Sequence, residues 1–282
     1  MKLLRYLNII MAMLIFVLMF SGLISCQKVI TLDLNSPSPQ LVIEGNISNQ
    51  PGPYFVKLSK TVNFDNVADI PSVTGAYVEI SDSMGNSEIL TEVGSGYYCT
   101  TGLKGIPGNR YMLTVKTGDQ IYEAYSFMPY PVDKLDLTIK REANNRPSIG
   151  GSGNNQTIRY QVNYEISDPV LFKNYYRFVV HHKRRELSSR RVFNDQYHNG
   201  KIIADEFGLN DSIDFKPGDT VNVELRNIDK GTFDFFRTLR DGASGLSFLS
   251  ASPSNPLSDI SNNALGYFSA YSVNNGIVII PK

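Results

Sequence analysis

The chain has 282 residues, 42% of them hydrophobic and 19% charged, with 27 basic and 27 acidic side chains. That length is enough for two cores at roughly 100 to 200 residues each. The even charge balance excludes the electrostatic footprint of a nucleic-acid binder.

Read from the start, Met1, Lys2 and Arg5 precede an unbroken apolar run from Ile9 to Phe20, and Leu23-Ile24-Ser25-Cys26 follows. A basic end, a short apolar core and a small residue before a cysteine make a lipoprotein signal peptide over 1–25, with Cys26 as the lipidated N-terminus of the mature chain. The competing reading is a plain membrane anchor, because Leu7 to Ile24 is nearly long enough to span ~30 Å of hydrocarbon at 1.5 Å per helical residue. Removal of 1–25 takes away Lys2 and Arg5, leaving 25 basic side chains against 27 acidic ones. A lipidated Cys26 cannot form a disulfide, so Cys99, the only other cysteine, is expected as a lone, buried, unreactive thiol. Residues 26–40 end in Asn35-Ser36-Pro37-Ser38-Pro39 and read as a tether.

Strand patterns then dominate. Leu41–Ile47, Tyr54–Leu58, Ala76–Ile80, Arg110–Val115 and Gln120–Tyr125 are short, rich in β-branched and aromatic residues, and often alternating. Met84-Gly85-Asn86, Gly105–Asn109 and Thr117-Gly118-Asp119 supply the reversals between them. The segment 41–130 therefore reads as an immunoglobulin-like or transthyretin-like β-sandwich. Met128-Pro129-Tyr130-Pro131 closes it, since two prolines remove ladder donors.

The segment 131–282 reads as a second antiparallel β domain, a sandwich or barrel-like, with strands at Leu135–Lys140, Ile158–Ile166, Tyr175–His182 and Thr220–Asn227. Asn144 to Asn155 is polar and glycine-rich, and is expected as a hairpin loop. One short helix is expected over Thr232–Leu239, where Phe233, Phe235, Phe236 and Leu239 recur at helical spacing before Asp241-Gly242. The end of the chain is expected as a hairpin, Ala264–Val273 and Ile277–Ile280, turning at Asn274-Asn275-Gly276.

Candidate chemistry is sparse. His181 and His182 are adjacent on a strand and point to opposite faces, and His198 lies in a loop, so no metal site is expected. Gly242-Ala243-Ser244-Gly245 lacks the spacing of a nucleophile elbow, and Asp205-Glu206 diverge as neighbours in a strand. The basic run His182–Arg185 with Arg190-Arg191 is read as a solvated hairpin tip that protects an exposed strand. Among 16 Tyr and 15 Phe, with no Trp, Tyr267, Phe268 and Tyr271 are core residues first and ligand contacts second. Neither catalytic residues nor a cofactor is expected.

Cys26-Gln27-Lys28-Val29-Ile30-Thr31-Leu32-Asp33-Leu34, Leu41–Gly45, Gly75–Val78, Gly108–Val115 and Leu265–Ala270, in that order, carry a resemblance. The chain resembles the family called domain of unknown function 4249, lipoproteins of Bacteroidota, over nearly all of its mature length. The resemblance implies an outer-membrane, lipid-anchored envelope protein, often encoded beside a TonB-dependent receptor. It transfers one functional position, Cys26. Gln27-Lys28-Val29 is neutral to basic where surface-exported relatives often carry acids, so periplasmic and surface-facing placements both stay open. The expected role is a non-enzymatic accessory or ligand-binding module acting with that transporter. The alternative is a structural or adhesive lipoprotein, similar to fimbrillin-type subunits, with Ser272–Lys282 as a strand that is donated to a neighbour.

Overall fold

Runs of β-branched and aromatic residues with period-two burial build strands across almost the whole described chain. The computed structural model describes Met11, Met13 and residues 38–62, 70–144, 157–170, 172–183, 185–187, 191–209, 213–243 and 255–282. The signal peptide apart from Met11 and Met13, Cys26, the tether up to Pro37, most of the Asn144–Asn155 loop and Ser244-Gly245 lie outside the described residues.

In chain order the first eight strands are β1 (Leu41–Ser48), β2 (Phe55–Lys60), β3 (Tyr77–Asp82), β4 (Ser87–Ile89), β5 (Thr91–Gly94), β6 (Tyr97–Cys99), β7 (Arg110–Thr117) and β8 (Gln120–Phe127). They are followed by β9 (Leu135–Asn144), β10 (Thr157–Ser167), β11 (Tyr175–His182), β12 (Arg185–Leu187), β13 (Val192–Asn194), β14 (Ile202–Gly208) and β15 (Thr220–Ile228). Helix α1 (Lys230–Ala243) and the 15-residue β16 (Leu265–Ile279) complete the described elements of the unit Pro39–Lys282.

The protein is mainly β. One sheet runs β12-β11-β15-β16-β1-β2-β6-β5, with β13 also paired to β11, and neither it nor the smaller sheets β4-β3-β7-β8 and β14-β10-β9 closes into a barrel. The four-stranded sheet covers one end of the long sheet, and Ile43, Val56, Leu58, Val78, Leu113 and Phe268 fill that core. The three-stranded sheet covers the other end over Val162, Ile166, Phe178, Val223, Leu225 and Val278. A third cluster lies under α1, where Phe233, Phe235 and Phe236 meet Ile228, Tyr271 and Val273.

Strand β16 belongs to both cores. Its first half pairs in parallel with β1, Val42 with Leu265 through Ser48 with Tyr271. Its second half pairs antiparallel with β15, Asn227 with Ser272 through Thr220 with Ile279. The expected terminal hairpin is therefore corrected: Asn274-Asn275-Gly276 is straight strand, with these residues opposite Leu225, Glu224 and Val223. Asn274 uses its amide to hold another segment, accepting from Val132 N at 3.0 Å and donating to Val132 O at 2.8 Å. Gly276 is bare because a Cβ there would run into Leu137. The same residue types that favour a turn here serve packing and side-chain pairing within a strand.

The helix is also longer than the Thr232–Leu239 of its apolar spacing. Asp229 explains the earlier start: its Oδ1 accepts from Thr232 N at 2.9 Å, and its carbonyl accepts from Phe233 N at 3.0 Å, an N-cap one residue before Lys230.

Gly266 makes the parallel pairing possible. Its φ is +106°, and a side chain there would collide with the Ile43 carbonyl of β1. Gly266→Ala is expected to cost about 3 kcal/mol or more in urea unfolding, from backbone strain and collision together. Gly85→Ala, at φ +91° with nothing within 4 Å, is expected to cost only about 1 kcal/mol. Equal losses in the two variants would refute the close-approach argument.

Candidate functional site

Odd-numbered residues of β16 face away from the two main cores, and so do Asn222, Glu224 and Arg226, which alternate with buried Val221, Val223 and Leu225 on β15. Cross-strand register brings Arg177 of β11 directly opposite Arg226, and Arg226 opposite Val273. Two guanidiniums thus stand side by side on a central part of the sheet, and α1 lies over them. Arg177 stacks on the Phe236 ring with its guanidinium carbon 3.9 Å from the centroid, and Arg226 lies 4.6 Å from the centroid of Tyr271. Such contacts between guanidinium and ring partly replace lost hydration.

Carboxylates compensate the pair. Glu224 Oε2 accepts from Arg226 Nε at 2.9 Å and from Nη2 at 2.7 Å. Glu186 Oε1 is 3.7 Å from Arg177 Nη2. On its other side, Glu224 Oε1 approaches His181 Nε2 at 3.2 Å, without the angles of a hydrogen bond. Burial would raise the Glu224 carboxyl, but His181 and Arg226 prevail and hold it down at about 2. Arg177 moves down, through its burial and then through Arg226 beside it. Arg226 moves up despite its burial, because Tyr271 and Glu224 face it.

Beyond the helix this face opens into a cleft of about 380 Å³ lined by His181, Asn222, Glu224, Asn275, Gly276 and Ile277. Its two amides, imidazole and carboxylate offer donors and acceptors within one shallow surface, and Ile277 adds exposed apolar area. The arrangement suits hydrogen bonding to a polar ligand.

Of the residues singled out from sequence, Tyr267 and Tyr271 come to this face. The Tyr267 ring lies 4.9 Å from Phe235 and from Phe236 of α1, and burial pushes both tyrosine hydroxyls up. Phe268 points the opposite way and is fully buried in the first core. His182 departs to the inner face, where Nε2 is 3.0 Å from Asp219 Oδ2, and His198 is exposed. Cys99 is free and half-buried, not fully buried as expected, on the short strand β6 opposite Phe55 and Thr91. In the basic run, Lys183 pairs with Asp219 at 3.2 Å and Arg185 is exposed; Arg184 and Arg190 lie outside the described residues.

A family model described as domain of unknown function (DUF4249) matches residues 27–276. The chain belongs to the DUF4249 family. No curated protein matches it. The matched span of this DUF4249 protein contains β1 to β15, α1 and most of β16, so the charged face and the cleft lie within it, short only of Ile277.

Arg177, Glu224 and Arg226 were not identified from sequence. On β15 a signal was present, as Asn222, Glu224 and Arg226 alternate with Val221, Val223 and Leu225, a pattern that places polar groups on a second face; Arg177 on β11 gave none.

Because the Glu224 carboxyl is depressed from 4.5 to about 2, its stabilisation is fully present above pH ~4.5 and is lost as pH falls through about 2. Glu224→Gln is expected to lower stability by about 2 kcal/mol at pH 7, discounted for partial exposure, and the gap to the parent should narrow between pH ~4.5 and ~2. Chemical denaturation across that range reads the difference, and a gap independent of pH would refute it.

Proposed function

We propose that this DUF4249 protein is an envelope lipoprotein, anchored in the outer membrane through acylated Cys26, that works as a non-enzymatic ligand-binding or accessory module for a TonB-dependent transporter. The observation that supports it is the polar cleft beside Glu224. Its groups sit on three adjacent strands, β11, β15 and β16, whose amides are committed to long ladders, so the cleft meets a ligand without ordering a loop first. Such preorganisation favours capture, because little conformational entropy is lost on binding. The order of basic end, apolar run and Ser25-Cys26 supports the anchor. From Cys26 the 14 residues Gln27–Gln40 reach at most about 50 Å, which keeps the folded body beside a membrane neighbour.

The fimbrillin-like alternative needs Ser272–Lys282 to leave the fold. Eight residues of that stretch pair with β15, and Val278 and Ile280 are buried in the second core, which weighs against easy donation.

Full-length tagged protein, expressed in a native-like host and captured from mildly solubilised envelopes, is expected to bring a TonB-dependent receptor with it. Cys26→Ala is expected to shift to the soluble fraction and to lose the receptor. Detergent-stable homo-oligomers without a receptor would replace this reading by the structural one.

A further inference from the structure

The two edges of the three-stranded sheet β14-β10-β9 are finished differently. At β14 both backbone groups of Glu206 are taken up by side chains: its N–H donates to Asp205 Oδ1 at 2.8 Å, and its carbonyl accepts from Arg191 Nη1 at 3.2 Å. Side chains that occupy edge groups keep other strands away. Strand β9 has no such cover. Its ladder runs to β10 alone, from Leu135 opposite Ile166 to Asn144 opposite Thr157, and among the described residues no other backbone hydrogen bond engages it. Leu135, Leu137 and Ile139 lie half-buried over the second core, while Asp136, Thr138, Lys140 and Glu142 alternate with them and are exposed.

Charges on an edge strand ordinarily repel a second strand, but their order decides whether a copy of the same strand is repelled. When a strand pairs antiparallel with its own copy about a two-fold axis, directly opposed residues turn their amides toward the same edge, so the axis falls on a residue and not between two. With the axis on Thr138, Lys134 faces Glu142 and Asp136 faces Lys140, each twice, and all four contacts on the outer face join opposite charges. On the inner face the same register sets Leu137 against Ile139 twice. The neighbouring axes fail: on Ile139, Asp136 meets Glu142; on Leu137, Lys134 meets Lys140; on Asp136 or Lys140, a charge meets itself. Opposite charges across a ladder stabilise it and like charges destabilise it, so one register is selected. Lys134 also pairs with Asp136 of its own strand, and Glu142 accepts from Gln161 Nε2 at 2.9 Å. Exposed contacts of this kind contribute little, so partners across the edge compete with them.

We propose that β9 is a self-association edge, at which two copies of this chain pair β9 with β9 antiparallel about Thr138 and form one continuous sheet β14-β10-β9-β9-β10-β14. Main-chain hydrogen bonds supply the affinity, as in other strand additions, and the order of charges supplies the register.

The test is sedimentation velocity of the full chain in mild detergent over a range of protein and salt concentrations. A monomer–dimer equilibrium is expected, weaker at high salt because exposed charges are screened. Asp136→Lys is expected to weaken the dimer at least tenfold, and the double variant Asp136→Lys with Lys140→Asp, which restores opposite charges in the same register, is expected to recover it. Both positions are exposed, and thermal melting checks that each variant is folded. Thr138→Cys is expected to crosslink two copies under mild oxidation, because opposed residues of an antiparallel pair have Cα atoms about 4.5–5.5 Å apart, within disulfide reach. Lys140→Cys, which faces Asp136, is not expected to do so, and the parent chain with Cys99 free sets the background. A monomer at ~0.1 mM, a double variant no more associated than the single one, or equal crosslinking of the two cysteine variants would overturn the proposal. Receptor capture is read in the separate pull-down, so failure here and failure of the transporter reading are distinguishable.

Discussion

The whole architecture depends on one strand being paired on opposite edges along its length. In β16 the odd-numbered amides point toward β1 and the even-numbered ones toward β15. Val273 N donates to Asn49 Oδ1 at 3.0 Å just past the end of β1, whereas Ile280 N donates to Asp219 O at 2.9 Å on the β15 side. Where one partner strand ends and the next begins, backbone groups would be left bare inside the protein at a cost of about 1–3 kcal/mol each. Side chains fill that gap. Asn49 takes Val273, and Ser126 Oγ takes Ala270 N at 2.8 Å. Because both halves are one continuous strand, the even side chains Phe268, Ala270 and Val278 serve two cores with a single register.

The odd face then has to accept whatever the even face rejects. On β15 this places Asn222, Glu224 and Arg226 together, and on β11 it adds Arg177 and His181. Two like charges directly opposite one another destabilise a sheet, and a buried ion pair is weak evidence for stability even when well formed. Here the arrangement is offset by the bonds from Arg226 to Glu224, by the Phe236 and Tyr271 rings and by Glu186. An apolar face under α1 would have been the simpler solution for folding alone.

Local physics made much of this legible. Strand alternation in Leu41–Ile47 and Thr220–Asn227, the phenylalanine spacing of α1 and the proline break after Met128 all report neighbours within a few residues, and they identified the mainly β class and helix α1. Parity in β16 was equally visible, since Tyr267 and Phe268 must face opposite ways. Non-local choices were hidden. Asn274-Asn275-Gly276 has turn chemistry in isolation, and only Val132 and Leu137, more than a hundred residues away, make straight strand the better use of it. The parallel match of β1 to β16 leaves no periodic trace, because the intervening chain acts as one long crossover. The charged face stayed unread for the same reason: Arg177 and Arg226 are neighbours only once β11 and β15 pair.

Asp229 connects these levels. Its Oδ1 caps the start of α1, while its Oδ2 accepts from Ser126 Oγ at 2.7 Å and from Phe127 N at 3.1 Å on β8. The same Ser126 hydroxyl oxygen receives the Ala270 amide of β16. One carboxylate therefore ties the helix N-terminus, the edge of the first sandwich and the shared strand into a single hydrogen-bonded chain. A helix capped only by its own residues could slide over the sheet. Capped through β8, it holds Phe236 over Arg177 and leaves the cleft beyond it open, so the placement of the charged face in the second half is fixed by a residue of the first.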